Sequence, residues 1–329
     1  MANIKSTLVA IRGRAIGNLL EKTNRAIAQL QANQDKHFAQ LQELQNVARK
    51  YDSIGIMQLS EKEIATKIFN DLIMYLDPRD LAVVPHLVLE RIWEREITYA
   101  WLSVLNNPNS VVIDIGANFG YYGMLAAQRL DKEKGKVVFF EPNPELHYYI
   151  HKTLSVNWLN ENSVVENMGL AEASGTAQLH ILEDYVGSSS MHSVEQLSSY
   201  LSEQMHLKAQ SVITVPTVTL DEYCKTHDIK KVNYVKMDIE GYEEAAYLGM
   251  KQIVKSSPEM ILFLEFTKGG YKDPRGFYGK LRTDFAHVYE IEKDGTLLSP
   301  RDPSYEALIA PTKVLIFLVF SKKPIQHGK

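Results

Sequence analysis

The apolar residues of this chain change their spacing several times, and each change marks an element. Ile4, Leu8, Ile11, Ala15 and Leu19 recur at helical intervals. From Leu20 a heptad can be written, with Leu20, Ile27, Gln34 and Leu41 at one seam position and Thr23, Leu30, His37 and Leu44 at the other. Residues 1–52 are therefore expected to form a helical arm, as a coiled coil or as an amphipathic arm packed on its own chain, with a break near Gly13 and Gly17. Ser60 followed by Glu63 matches a capping box and predicts a helix to about Asn70. Residues 72–76 and 81–84 flank Asp77-Pro78-Arg79-Asp80, a turn sequence, and predict a small hairpin. Helical spacing returns over 92–105, so 53–108 reads as a helical and hairpin cap.

From Val111 onward short apolar runs alternate with helical stretches. Strands are predicted over 111–114, 137–140, 164–167, 177–182, 212–218, 232–237 and 260–264. Helices are predicted over 121–130, 146–159, 220–227, from 242, and over 275–285. Gly187-Ser188-Ser189-Ser190 breaks the pattern. After it, 193–207 is polar and helix-like, and reads either as a substrate lid or as a surface loop. The last two runs, 287–292 and 314–320, suit a hairpin-like antiparallel ending. The expected fold is α/β: a Rossmann-like, mostly parallel sheet over 109–329 with an antiparallel last strand.

Candidate chemistry sits at the ends of these strands. VVIDIGANFGYYG (111–123) is a strand ending in Asp114, a turn with Gly116, Asn118 and Gly120, and the start of a helix. Such a turn lets a ligand approach the backbone closely, and free N–H groups at the helix start favour a negative group. The spacing is D-x-G-x-N-x-G, whereas a dinucleotide fingerprint is G-x-G-x-x-G. The next strand delivers Glu141 before Pro142, and an acid there commonly grips vicinal ribose hydroxyls. Asn167, at the third strand end, suits an adenine edge. VNYVKMDIEGYE (232–243) brings Asp238 to the same edge with Lys236, Glu240 and Gly241, and the strand 260–264 delivers Glu265. Glu243 reads as a cap or surface residue.

The pair DIGANFG and FFEPNP resembles the S-adenosylmethionine pocket of class I methyltransferases. Together with Thr219-Leu220-Asp221, VKMDIEGYE and LFLEF, in that order, the chain over roughly 75–320 resembles the FkbM-type methyltransferase family. The resemblance implies S-adenosylmethionine as cofactor, held by Asp114, Gly116, Asn118, Gly120, Glu141 and Asn167. It also implies O-methylation of a hydroxyl on a sugar or polyketide-type product. One departure is Phe266-Thr267 after Glu265, where many relatives carry a histidine nearby.

An alcohol needs a base during attack on a methyl group, and Asp238 is the first candidate, with Glu240 and Glu265 competing. The three carboxylates would also suit Mg²⁺, with Asp238 and Glu265 as ligands, unless Lys236 pairs with one of them. Two other classes share parts of the pattern: a nicotinamide-dependent oxidoreductase, and a non-catalytic scaffold with a methyltransferase-like fold.

Composition narrows the partners. The net charge is −4, with +5 carried by residues 1–50 and −9 by the rest, which disfavours nucleic acid. Cys224 is the single cysteine, which suits a reducing compartment. No apolar run reaches the ~18 residues of a membrane span, and Arg12 and Arg14 interrupt any leader-like core. A cytoplasmic protein is expected, self-associating through residues 1–50. Its acceptor is expected to be a sugar or glycan at a rim of Ser188, Ser189, Ser190, His192, Glu240 and Glu265, with Tyr242 against the sugar face.

Overall fold

The computed structural model describes residues 55–182, 185–192, 209–311 and 315–325. The arm 1–52 with its heptad and the insertion 193–207 lie outside the described residues. The chain divides into two units, one ending at Trp93 and one running from Glu94 to Lys329.

In the first unit, β1 (Met57–Ser60), β2 (Glu63–Lys67) and β3 (Ile73–Leu76) form an antiparallel sheet in the order β1-β2-β3. The helix expected from Ser60 to Asn70 is absent. Ser60 Oγ accepts from the N–H of Lys62, two residues on, which makes a turn. Ile64, Thr66 and Ile68 follow with strand period and are buried. The hairpin expected across Asp77–Asp80 is also replaced. Asp80 Oδ1 accepts from the N–H groups of Ala82, Val83 and Val84, and so starts the helix α1 (Val83–Leu89).

The second unit opens with α2 (Arg95–Val104), β4 (Val111–Ile115) and α3 (Tyr121–Arg129). It continues through β5 (Lys136–Phe140), α4 (Pro144–Val156) and β6 (Ser163–Glu166). Asn143 starts α4 by accepting from Glu145 N, with Pro144 in the first turn, where its missing N–H costs nothing. Trp101 of α2 is fully buried and donates its Nε1–H to the carbonyl of Tyr122 at 3.1 Å.

The next strands leave the main sheet. β7 (Gly169–Leu170), β8 (Gly175–Leu182), β9 (Tyr185–Ser190) and β10 (Ala209–Val218) build a small sheet in the order β7-β10-β8-β9. The Gly187–Ser190 stretch, expected to be a break, is therefore strand. Its backbone pairs with β8, and no side-chain pattern announces it. Leu179, Ile181 and Val215 form the core of this sheet.

The chain returns through α5 (Leu220–Thr226), β11 (Tyr234–Met237), α6 (Glu243–Leu248), α7 (Lys251–Ser256) and β12 (Ile261–Thr267). Asp221 accepts from the N–H groups of Gln252 and Ile253 and so caps α7. α8 (Pro274–Asp284), β13 (His287–Ile291), β14 (Leu297–Leu298), α9 (Tyr305–Leu308) and β15 (Leu315–Ser321) complete it.

The main sheet has the order β14-β13-β15-β12-β11-β4-β5-β6. Neighbours from β12 to β6 are parallel, while β15, β13 and β14 run antiparallel to their neighbours. This is the Rossmann-like sheet expected from the sequence, with its antiparallel final strand. From β4 the chain moves outward through β5 and β6, then crosses back to β11 on the other side. Such a reversal leaves a crevice at the carboxyl ends of β4 and β11, the place where open α/β sheets bind ligands. Among the described residues, no helix is long and apolar enough to cross a membrane.

Candidate active site

The turn after β4 is shaped by left-handed backbone. Gly116 has φ 74°, Asn118 φ 55° and Gly120 φ 82°, conformations that glycine and asparagine adopt most readily. Gly116 also meets the other side of the crevice, because a Cβ there would stand 2.0 Å from the carbonyl oxygen of Asp238. Gly123 lets α3 lie on β5, where a Cβ would stand 2.1 Å from the Phe139 ring.

The donors expected to await a negative ligand are used within the fold. Gly116 and Ala117 donate to the carbonyl of Phe140. Gly123 N donates to Asp114 Oδ2 at 2.8 Å, so the buried Asp114 itself occupies the helix start. Burial pushes the Asp114 carboxyl up to about 6. Asp114 thus shapes the turn from beneath.

Glu141 lies at the end of β5, almost fully buried. Its Oε2 accepts from Asn118 N at 2.7 Å and its Oε1 from Asn143 N at 2.9 Å. Burial raises the carboxyl to about 7, against these two hydrogen bonds. Each oxygen keeps a further lone pair, so a diol can still donate to it. Beside it, Asn118 Oδ1 is buried with no hydrogen-bond partner, an acceptor placed for a donor from outside the chain. Asn167 is exposed just beyond β6. The neighbouring Glu166 is tied to the Tyr223 hydroxyl at 2.8 Å.

Across the crevice, the K-x-D spacing on a strand puts Lys236 and Asp238 on one face. Lys236 Nζ lies 2.9 Å from Asp238 Oδ2, with Lys236 at 2% side-chain exposure and Asp238 at 25%. The ammonium also sits over the rings of Tyr122 (4.6 Å) and Phe317 (4.7 Å). Burial alone would lower Lys236. Asp238, Glu94 and Asp114 outweigh it, and the group is held above its usual range.

Glu265 is buried on β12 and accepts from Thr267 Oγ1 at 3.3 Å. Burial, with Asp238, Glu240 and Glu243 nearby, holds its carboxyl well above the usual range. Its protonated form is thereby favoured, and in that form it can donate to Asp238. Glu240 (φ 55°) and Gly241 (φ 96°) form the turn after β11. Glu243, expected as a cap or surface residue, caps this turn from full burial. Its Oε1 accepts from Ile239 N (2.9 Å) and Gly241 N (3.2 Å), and its Oε2 from the Tyr271 hydroxyl (2.8 Å).

The polar rim takes part in the fold. Asn143 Nδ2 donates to Ser189 Oγ and Ser190 Oγ donates to the carbonyl of Glu240, both at 3.4 Å. His192 Nε2 donates to the carbonyl of Gly241 at 3.0 Å, and its ring meets Tyr242 edge-on. The Ser188 side chain lies outside the described residues. One member of the site escapes sequence reasoning: Glu94, whose Oε2 accepts from the Tyr122 hydroxyl at 2.7 Å.

The donor set does not fit Mg²⁺. Among the described residues, no group of three or more His, Cys, Asp or Glu side chains converges on a metal-sized point. Asp238 is engaged with Lys236, and burial beside other carboxyls disfavours the ionised form of Glu265 that Mg²⁺ would need.

Comparison with known proteins places this architecture. Residues 114–295 match the Methyltransferase FkbM domain. The 2-O-methyltransferase NoeI of Sinorhizobium fredii is 23% identical over 183 residues, which span 55% of this chain and 70% of that protein. Among solved structures, methyltransferase FkbM from Methylobacillus flagellatus KT aligns with a TM-score of 0.40 at 16% identity, over 72% of this chain and 52% of that one. Precorrin-6y C5,15-methyltransferase from Geobacter metallireducens aligns with a TM-score of 0.38 at 13% identity, over 70% and 90%. With more than half of its length matched to that one domain, from Asp114 to Gly295, this chain belongs to the FkbM methyltransferase family.

Proposed function

We propose that this protein is an S-adenosylmethionine-dependent O-methyltransferase acting on a sugar hydroxyl. The observation that carries the reading is the meeting of Gly116 and Asp238 at the switch point. It sets a cofactor-type turn and an accessible carboxylate on the two sides of one crevice. The residues present fit the cofactor: Glu141 retains acceptor capacity for a ribose diol, and Asn118 Oδ1 is a buried acceptor without a partner. Asn167 is exposed just beyond the carboxyl end of β6, and Gly116 and Gly120 keep side chains out of the turn. When bound, S-adenosylmethionine supplies a methyl group on a sulfonium, open to in-line attack.

Asp238 acts as the base that takes the acceptor's proton, its side chain being 25% exposed while it contacts Lys236. Lys236 holds Asp238 in place through the 2.9 Å contact. Glu265, whose burial favours its protonated form, can donate to Asp238 or to the acceptor and so orient the exchange. Positioning of the hydroxyl in line with the methyl accounts for much of the rate. Glu243 keeps the 239–241 turn rigid around that position.

The sugar assignment rests on the polar rim of Ser189, Ser190, His192 and Glu240, with Tyr242 beside it, and on the likeness to a 2-O-methyltransferase. The acidic charge beyond residue 50 disfavours strongly anionic acceptors such as nucleic acid. Labelled methyl transfer from S-adenosylmethionine into glycan, phenolic and peptide pools tests the reading. Label is expected in the glycan pool. Label only in another pool overturns the acceptor, and no heat of binding with S-adenosylmethionine overturns the cofactor.

A further inference from the structure

Glu94 occupies a place in this site that no motif announces. It stands immediately before α2 with φ 41° and ψ 65°, a left-handed conformation uncommon for a residue with a Cβ and kept where the surroundings over-determine it. Two contacts hold it. Its carbonyl accepts from Thr98 N at 2.8 Å, and its carboxylate accepts from the Tyr122 hydroxyl at 2.7 Å. The face of that same Tyr122 ring lies 4.6 Å from Lys236 Nζ, and Nζ lies 2.9 Å from Asp238. A continuous line of contacts thus runs from Glu94 through Tyr122 and Lys236 to the carboxylate at the crevice.

The charges along this line are unbalanced. One buried ammonium, Lys236, faces Asp238 on its own strand, Asp114 on β4 and Glu94 before α2. Glu94 in turn faces Lys236, Asp238, the Tyr122 hydroxyl and Glu96 of α2. Asp238 is also faced by Glu265, with Glu240 and Glu243 close by. Burial first, against the pull of Lys236, pushes the Glu94 carboxyl up to about 7, so its charge changes in the neutral range.

We propose that Glu94 is a positioning residue for Asp238, acting through Tyr122 and Lys236. This rests on the reading of Asp238 as the base. With Glu94 ionised, the field of the ammonium is shared between two carboxylates. With Glu94 neutral, the ammonium is committed more fully to Asp238 and draws its carboxylate more tightly towards Nζ, away from the acceptor. The Tyr122 hydroxyl fixes the geometry, since its ring cannot turn away from Lys236 without leaving Glu94.

The test uses the full chain labelled with ¹³C at lysine Cε, the Lys236 resonance being assigned by its loss in Lys236→Arg. In wild type this resonance is expected to shift in a step near pH 7. Glu94→Gln keeps an oxygen for the Tyr122 hydroxyl but carries no charge, and the step is expected to vanish. Persistence of the step in Glu94→Gln, or its loss in Asp114→Asn instead, overturns the proposal. In the labelled methyl-transfer assay, Glu94→Gln is expected to lower kcat with KM nearly unchanged. A wild-type kcat in that variant, or a loss that falls on KM alone, overturns the positioning role. Tyr122→Phe keeps the ring and loses the hydroxyl, and serves as the second variant should Glu94→Gln fail to fold; it is expected to shrink the Lys236 step. An unchanged step there overturns the line through Tyr122. Absence of methyl transfer in wild type would strike the proposed function, while the lysine titration still decides whether Glu94 governs the Lys236–Asp238 pair.

Discussion

Gly116 and Asp238 touch backbone to backbone: a Cβ on the glycine would stand 2.0 Å from the aspartate's carbonyl oxygen. The neighbour is main chain and not the end of a flexible side chain, so the strand ends must separate to accept one. Gly116 also has φ 74°, where an alanine is strained by about 1–2 kcal/mol before any clash. Gly116→Ala is expected to lower stability in urea by about 1–3 kcal/mol and to weaken S-adenosylmethionine binding in the same samples. An unchanged midpoint and affinity would mean that the two strand ends part freely.

The proposed grip of Glu141 on a ribose diol predicts a pH-dependent cofactor affinity. Its carboxyl is raised from 4.5 to about 7 by burial. Its contribution to the stability of the free protein is therefore fully present below about pH 4.5 and is lost as pH rises toward about 7. A diol donating to it favours the ionised form. Affinity for S-adenosylmethionine is thus expected to rise through pH 6–8 and the thermal shift on binding to grow with it. Glu141→Ala is expected to lose about tenfold to a hundredfold in affinity, and calorimetry across that pH range reads both effects.

Asp238→Asn retains the shape of the side chain and its contact with Lys236, but it cannot take a proton. Turnover is expected to fall about a hundredfold or more, with cofactor affinity nearly kept. Glu265→Gln, which keeps a donor in place, is expected to fall much less. A reversed order of the two variants in steady-state kinetics would transfer the role of base to Glu265.

Glu243→Ala removes the acceptor that Ile239, Gly241 and Tyr271 share. The N–H groups of Ile239 and Gly241 lose their acceptor, while the Tyr271 hydroxyl keeps the Glu265 carbonyl at 3.2 Å, and stability is expected to fall by about 1–3 kcal/mol. Methyl transfer should fall more than S-adenosylmethionine binding, because the turn carries the acceptor side. Equal losses in both would show that the turn also serves the cofactor.

Residues 1–50 are proposed to hold copies of the chain together through their apolar stripe. Light scattering of the full-length protein and of a chain starting after residue 50 is expected to show fewer subunits in the shorter form. Equal subunit counts would point to an arm packed on its own chain.

The parts of this site that follow from local rules were legible in the sequence. Gly116, Asn118 and Gly120 stand out because few residues tolerate left-handed backbone. Asp238 stands out because a buried strand seldom ends in Lys-x-Asp without a use for both charges. What escaped depends on tertiary neighbours. Glu94 carries no cap signature, since its side chain bonds to Tyr122, 28 residues away. The burial of Glu243 comes from Tyr271 and β12, which no spacing around Glu243 reports. In the first unit, Ser60 and Glu63 satisfied the pattern of a helix start, but the period-two run Ile64-Thr66-Ile68 was the stronger signal. The small sheet around β9 is likewise a matter of backbone pairing, which serines neither favour nor forbid.

The pairing of β4 with β11 sets the order in which the protein can be built. Val111 N donates to Asn233 Oδ1 across 122 residues, and β4 finds its second neighbour only when Tyr234–Met237 has been made. Until then one edge of the strand that carries Asp114 presents unpaired N–H and C=O groups to any other chain. The crevice therefore cannot form until synthesis has passed β11. A chain interrupted before Met237 is expected to aggregate through that edge rather than persist as a partly active enzyme.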